Sequence, residues 1–442
     1  MAESKFNLQD VNALFKIKYE KLSENVYNSA NVLLGRVKKS YDFTGRKLQI
    51  TVPQSFSGGV GSGSLPKANA AKYSAAEIEA KKVYAVVDID RETIKASMSS
   101  EGAFVQATKE VVKKGVESFM RNMSRILFSD GSGLLASSDA ILDSSSDADD
   151  IARKALLAAD SDGNIVVPLE EDSFKEANLE ERDLVDVTPA ATAGAGSQTR
   201  KVQVEIIAVD PDNKTITLDG TKVSIADFKV TSSNDLVSAQ IHMQGSEGTD
   251  PDGLKGVIQK SNRTANKSYG IEHGRRWESV VIDKSGGDPL SAQDLTTDML
   301  NEVMLKVKKK CGKSPNLIVC SYKQYELLLN LLENTKQFTV PTRANLKSKS
   351  GADISFSGIE FMSIDGAVGI FPERFVEDDT IYFLNDNHIH IHHRPDFGWF
   401  DDDGTVFLRK AGEDEYEARY GGYLEIYINP VFHGCLKGLT TA

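Results

Sequence analysis

Polar and apolar positions alternate along Phe43–Val52, where Leu48, Ile50 and Val52 interleave with Lys47, Gln49 and Thr51. A period of two marks a strand with one wet face. A second run, Val83–Asp90, is β-branched and aromatic, and reads as the returning strand of a two-stranded arm. Between them lie the Gly/Ser tract Ser57–Ser64 and a polar, Ala-rich run to Lys82. Such composition packs no core, and roughly thirty residues is long for a hairpin connection, which predicts a functional loop. The period then changes. Phe104, Val105, Val112, Val116, Phe119, Met120, Met123 and Leu127 fall mostly three, four and seven apart, which predicts one apolar stripe on a long helix. Ser99 or Ser100 caps it, and Glu101 suits its positive end. Glu110–Lys114 and Glu117–Arg121 are i,i+4 pairs of favourable polarity, and Ser129–Gly133 stops the helix. At ~1.5 Å per residue it is about 40 Å long, enough to cross a whole domain.

The flanking chain is less regular. Residues 5–34 read as a basic amphipathic helix with Lys16, Lys18 and Lys21, followed by Arg36, Lys38 and Lys39. A Ser/Asp-rich stretch ends in a short helix at Ile151–Leu157. Asp183–Val187, Lys201–Val209 and Thr215–Leu218 are strand-like, separated by the turn chemistry of Asp210–Asn213 and Asp219–Gly220. They predict a small β-rich module. Gly253–Ile258 is a short apolar run, with Tyr269–Glu272 and Trp277 after it. Residues 290–335 form the clearest α/β unit. Leu295, Met299, Leu300, Val303, Met304 and Val307 make a helical stripe that ends at Gly312 after Lys306, Lys308, Lys309 and Lys310. Asn316–Cys320 is a short buried strand, and Ser321 with Gln324 forms a capping box for the helix Tyr322–Glu333. The last third is β-dominated: Ile359–Ile364, Thr380–Leu384, His388–His393, Thr405–Leu408 and Tyr416–Ile428.

Length and composition narrow the function. At 442 residues the chain has room for two or three domains, and 40% hydrophobic with 26% charged residues is ordinary for a folded protein. A net charge of −12 argues against general nucleic-acid binding by the whole surface and leaves room for a local basic patch. Three cysteines, Cys311, Cys320 and Cys435, form no C-x-x-C, so they read as small semi-buried hydrophobes in a reducing compartment. The polar N-terminus has no signal-peptide core, and no run of ~18 apolar residues offers a membrane span, so a soluble, cytoplasmically made protein is expected.

One stretch resembles a chemical site. In Asn387–His393 an extended strand puts His388, His390 and His392 on one face, with Asp401, Asp402 and Asp403 nearby. Imidazoles with an aspartate suit Zn²⁺. The outer two are about 14 Å apart on a straight strand, which does not suit a tetrahedral ion, so the competing reading is a polar strand face alternating with Ile389 and Ile391. Clustered imidazolium would also make assembly pH-sensitive. G-x-S-x-G, H-E-x-x-H and the P-loop are all missing, and Gly59–Gly61 does not open a helix after a strand. No catalytic residue, cofactor or resident metal is expected.

A long β-arm joined directly to a spine helix, followed by a β-rich insertion, an α/β unit and terminal strands, resembles the major capsid proteins of tailed bacteriophages. The segment Gly253–Trp277 is similar to that family's short strand and Gly-Ile/Val-x-Arg…Trp run, though Ile271–Trp277 departs from it in spacing. The resemblance implies an α+β, HK97-like capsid fold. It divides the chain into an N-terminal arm (1–40), an extended loop or E-loop (41–90), a peripheral domain with the spine helix (91–168), an inserted β-rich domain (169–250), a peripheral-to-axial domain (251–385) and C-terminal strands returning to both (386–442). It implies a structural protein, not an enzyme, that self-assembles through hexamers and pentamers into an icosahedral shell around double-stranded DNA. Arg46, Lys47, Phe56, Lys67 and Lys72 of the loop are the expected intersubunit contacts, Lys67 and Lys72 reading otherwise as surface lysines. The implied partners are a separate scaffolding protein, since segment 1–40 is too short for a fused one, a portal, decoration proteins, and packaged DNA through weak contacts, with no membrane. The shell is expected to assemble in the host bacterial cytoplasm and end in the virion capsid. Competing classes are an encapsulin-like compartment of the same fold, a metalloenzyme built on His388–His393, and a tail or baseplate protein.

Overall fold

The computed structural model describes residues 32–41, 43, 45–55, 72–90, 101–139, 148–170, 174–188, 201–228, 239–259, 267–274, 276–286, 291–334, 342–347, 353–363, 365–394, 398–400, 408–409, 412 and 414–441. The chain divides into two compact units, residues 1–128 with 251–442, and residues 129–250. It is a mixed α+β fold. Of the basic N-terminal helix read over 5–34, only its end lies among these residues, as the turn Val32–Arg36 with Val32, Leu33 and Leu34 buried.

The first unit contains a sheet built around the 14-residue strand Glu415–Ile428. Along one edge it pairs antiparallel with Lys81–Asp90, from Lys81 opposite Leu424 to Asp90 opposite Glu415. Its last five residues pair with Ile389–His393, which is flanked in turn by Lys38–Ser40 running parallel to it. This corrects the sequence reading of the arm. Val83–Asp90 does not return along Phe43–Val52; the partner of Lys47–Ser55 is Lys72–Glu79, in register from Lys47 opposite Glu79. The Ala-rich run read as loop is therefore partly strand. Its alternation, Ala76 and Ile78 buried against exposed Glu77, is present in the sequence, but alanine is a weak strand former and hides it.

The spine helix runs Glu101–Phe128 as expected. It packs on Lys81–Asp90 and Glu415–Ile428, burying Val116, Phe119, Met120, Met123 and Leu127. The Phe119 ring meets Tyr420 edge-on at 5.2 Å. A surface ion pair on the helix joins Lys113 to Glu117 at 3.7 Å. The expected caps Ser99 and Ser100, and the side chains of Phe104, Val105, Glu110, Val112 and Lys114, lie outside the described residues.

The rest of the first unit is a seven-stranded mixed sheet in the order Val280–Asp283, Gly434–Lys437, Ile381–Leu384, Leu317–Cys320, Gly366–Pro372, Asp353–Ser363, Thr342–Lys347. The helix Thr297–Cys311 covers it, capped by the Thr296 hydroxyl and ended by Gly312 at φ 76°, whose N–H reaches Lys308 O at 2.8 Å. Helix and strand approach closely at Gly434, where a Cβ would stand 2.8 Å from Val303. The second helix is Tyr322–Asn334. Half of its expected capping box forms. Ser321 Oγ accepts the Gln324 N–H at 3.1 Å, but the Gln324 amide turns away to the carbonyls of Asp378 and Thr440. Gly253–Ile258, a strand by the family resemblance, contains a short helix, Leu254–Ile258. Its apolar run is too short for periodicity to decide between the two.

The second unit is an antiparallel sheet ordered Leu134–Ser137, Gln240–Met243, Leu184–Thr188, Val202–Asp210, Thr215–Leu218, Ile165–Pro168, Ala158–Ala159. It takes in residues 129–168 as well as 169–250. Asp210 Oδ1 accepts the N–H of Asp212 and Asn213, and Asp160 Oδ1 those of Asp162 and Asn164, so side-chain oxygens set both hairpin turns. The sheet curls until Ser138 bridges Leu169, with Asp139 N–H to Pro168 O at 3.1 Å and Glu170 N–H to Ser137 O at 2.8 Å. The result is a small closed barrel around Val187, Val204, Ile206, Ile216 and Leu218. Arg153, on the helix Ala148–Leu156, straps this seam: its Nε pairs with Asp139 at 2.6 Å and its Nη2 donates to Leu169 O.

Candidate functional site

The arm is a ribbon whose root is fixed to the rest of its own chain. Val52, Ala76 and Ile78 are buried while Tyr73 and Glu77 stand exposed. The Glu77 N–H donates to Tyr269 O at 3.0 Å and the Ala80 N–H to Arg46 O at 3.2 Å. Arg46 pairs with Glu79 at 2.6 Å and Lys47 with Glu77 at 3.6 Å, both across the ribbon and both exposed. Such pairs contribute ~0–1 kcal/mol each, so they set the ribbon's register and solubility more than its stability. The backbone of Lys72 sits opposite Ser55, beside a register shift. Phe56 and Lys67 lie outside the described residues.

Two residues to which the sequence reading gave no role do much of the fixing. Tyr269 and Gly270, at φ 53° and 81°, make the two-residue turn between Lys267–Ser268 and Ile271–Glu272. Beyond Leu424 the long strand has, among the described residues, no strand neighbour on the arm side, and the Tyr269 hydroxyl bonds there, donating to Ile426 O at 2.8 Å and accepting from Ile428 N at 3.1 Å. Burial, and then the negative Glu425 and Asp252, hold its phenol well above the usual range, so it keeps its proton. The second residue is Glu425, 3% exposed. Its Oε1 accepts from Asp252 N and Ile426 N, each at 3.1 Å, and its Oε2 faces Lys81 Nζ at 3.7 Å. Burial outweighs the lysine and pushes its carboxyl up to about 8. A buried Glu inside a strand pattern and a Tyr-Gly turn were the available signals.

The histidines are arranged otherwise than the sequence suggests. His388 is not on the strand. It ends the turn Asp386–His388 and stacks on Phe432 at 3.6 Å with the ring planes 5° apart. His390 and His392 remain neighbours at 5.9 Å, both against Tyr427. The three candidate ligands therefore share no single strand face, and among the described residues no group of three or more His, Cys, Asp or Glu is placed to hold a metal. Asp401, Asp402 and Asp403 lie outside those residues. Burial, then Lys313, His390 and Lys38, draw His388 down to about 4. The fully buried His433, whose Nδ1 accepts the Asn385 N–H at 3.2 Å, falls to about 3 by burial and the nearby His388. The best-defined arrangement is an anchored ribbon, a strand sheet and a spine helix.

Residues 234–397 match the family model described as SU10 major capsid protein. The match runs through the α/β unit and just past the histidine strand. No curated protein matches the chain in sequence. Among solved structures the chain is similar to the cyanophage A-1(L) capsid asymmetric unit, at 10% identity and TM-score 0.48 over 95% of this chain and 93% of that one. It is similar to the SrpI encapsulin of Synechococcus elongatus PCC 7942 at 8% identity and TM-score 0.42, over 93% and 88%. It is also similar to a chain of Mycobacterium phage Bobi at 8% identity and TM-score 0.39, over 92% and 89%. Likenesses of this degree leave the functional reading to the family match and the chain's own features.

Proposed function

We propose that this chain is the major capsid protein of a tailed bacteriophage, many copies of which assemble into an icosahedral shell enclosing double-stranded DNA. The family match over residues 234–397 carries the reading. The anchored arm, Lys47–Ser55 with Lys72–Glu79, and the 28-residue spine helix support it. A two-stranded ribbon is marginal in water by itself, and an open strand edge invites pairing, so contact with an adjacent subunit both stabilises the arm and hides its edge. Arg46, Lys47, Phe56, Lys67 and Lys72 are the contacts we assign to that neighbour. Segment 1–40 serves as the N-terminal arm, residues 41–80 as the extended loop, the spine and its sheet with Lys81–Asp90 as the peripheral domain, the seven-stranded α/β part as the axial domain, and the barrel as an insertion that braces or decorates the shell. The role is structural and non-enzymatic. A separate scaffolding protein, a portal and decoration proteins complete the assembly, which takes place in the host cytoplasm and ends in the virion.

Electron microscopy of the expressed protein, alone and with candidate scaffolding protein, tests this. Rings or shells from the intact chain, and none when residues 57–71 are deleted to spare both arm strands, support the reading. A monodisperse monomer from the intact chain at high concentration with scaffold added sinks it. Shells loaded with a protein cargo and no nucleic acid point to an encapsulin-like compartment instead.

A further inference from the structure

Lysines of the first unit are commonly matched with carboxylates: Lys284 and Lys306 with Glu302, Lys310 with Glu278, and Lys437 with Asp283, all within 3.2 Å. Lys38 and Lys313 are placed differently. Lys38 Nζ donates to the amide oxygen of Asn387 at 3.0 Å, and Lys313 Nζ lies 3.3 Å from His388 Nε2 and 5.3 Å from the centre of the Phe432 ring. The nearby carboxylate, Asp386, is engaged by Arg36 at 2.8 Å and Asn316 at 2.6 Å.

Three separate parts of the chain bring the lysines and imidazoles together. The parallel pairing of Lys38–Ser40 with Ile389–His393 sets Lys38 opposite His390 and Lys39 opposite Ile391. The turn Asp386–His388 lays His388 on Phe432. The loop after the helix Thr297–Cys311 delivers Lys313. Lys38, Lys39 and Lys313 are exposed, and His388 and His390 partly so. The charged neighbours that depress His388 are Lys313, His390 and Lys38, all of one sign. On a chain of net charge −12, lysines gathered with neutral imidazole N–H groups are a local exception to the field of the whole.

We propose that Lys38, Lys39, Lys313, His388 and His390 form a phosphate-backbone contact for the enclosed double-stranded DNA, made without reading its sequence. The inference rests on the shell-protein reading and names where its nucleic acid touches. Every group in the strip offers N–H donors, as phosphate oxygens require, and the lysines are point charges on long stems with no bidentate arginine among them. That chemistry positions a backbone and specifies no base. An acidic protein segment is the other polyanion that such a strip attracts, and the test separates the two.

The experiment uses the soluble full chain and a short fluorescent double-stranded DNA, with affinity followed across salt concentration. Lys38→Gln/Lys313→Gln removes two exposed charges without touching the core, and Lys309→Gln serves as a surface control. The expected result is weaker binding for the double variant only, with the slope of log affinity against log salt reduced by about two, since each lost phosphate contact removes about 0.9. An unchanged affinity and slope overturns the inference. So does polyglutamate that displaces the DNA as well as unlabelled DNA of equal charge does. Microscopy of the same variant keeps the two readings apart: shells that form normally while DNA binding is unchanged overturn the contact and leave the shell reading standing. A wild-type chain that never forms shells but loses DNA with the double variant does the reverse.

Discussion

The Tyr269 hydroxyl accepts the backbone N–H of Ile428 at 3.1 Å while donating to Ile426 O, so one phenol bonds two backbone groups of the long strand beside the arm's root. Tyr269→Phe keeps the ring against Tyr427 and removes only these bonds. Two buried backbone groups then lack a partner, at about 1–3 kcal/mol each. We expect a lower urea midpoint with an unchanged slope, and faster proteolysis near residues 72–80. An unchanged midpoint would mean that water replaces the phenol.

Glu425 gives the protein an alkaline weakness. Its carboxyl, pushed by burial up to about 8 against the pull of Lys81, keeps a proton that the unfolded chain releases near pH 4.3. A raised carboxyl pKa contributes stability that is full below about pH 4.3 and is lost as pH rises through about 8. Glu373, pushed up to about 7 by burial, acts in the same direction. Glu425→Gln is expected to flatten the fall in melting temperature between pH 5 and 8.5. If the variant's profile stays parallel to that of the parent, the carboxyl is ionised throughout.

Acid acts through the histidines. His433 and His388, drawn down to about 3 and about 4, stay neutral in the folded chain while the unfolded chain takes up protons near pH 6.5. Their contribution is present above about pH 6.5 and is lost as pH falls through 4 towards 3. His433→Gln is expected to lower stability at pH 7 and to make its decline between pH 6.5 and 4 shallower, measured by chemical denaturation at each pH. A decline as steep as the parent's would assign the acid response elsewhere.

Arg153 holds the barrel seam. Arg153→Ala takes a guanidinium from the mostly buried Asp139 and a donor from Leu169 O, and is expected to cost about 1–3 kcal/mol. Hydrogen exchange should rise at residues 134–139 and 165–170 first. Uniform exchange across the whole unit would mean that the seam opens only with global unfolding.

Strong periodicity was legible in the sequence. The spine helix, the helix Thr297–Cys311 with Gly312 after it, and the strand Leu317–Cys320 all lie close to where the residue pattern puts them. What it hid was partnership. Val83–Asp90 is a good strand in either pairing, and nothing in its own residues says that Glu415–Leu424, far along the chain, competes better than Phe43–Val52. Ala76 buries as well as a larger residue where space is small, yet weakens the strand signal. His388, His390 and His392 share a face only while the strand is straight, and the turn at Asp386–His388 withdraws one of them. Tyr269 and Glu425 carry their weight through backbone groups distant in sequence, which no local pattern records.

A single residue, Ala80, separates the arm strand Lys72–Glu79 from the sheet strand Lys81–Asp90. That leaves no slack. A torque applied to the ribbon turns Lys81–Asp90 with it, and ten paired positions resist by shearing together, not one after another. The spine helix lies directly on that strand. The joint therefore works as a transmission shaft and not as a hinge, and a load taken by the arm is delivered to the 28-residue spine helix.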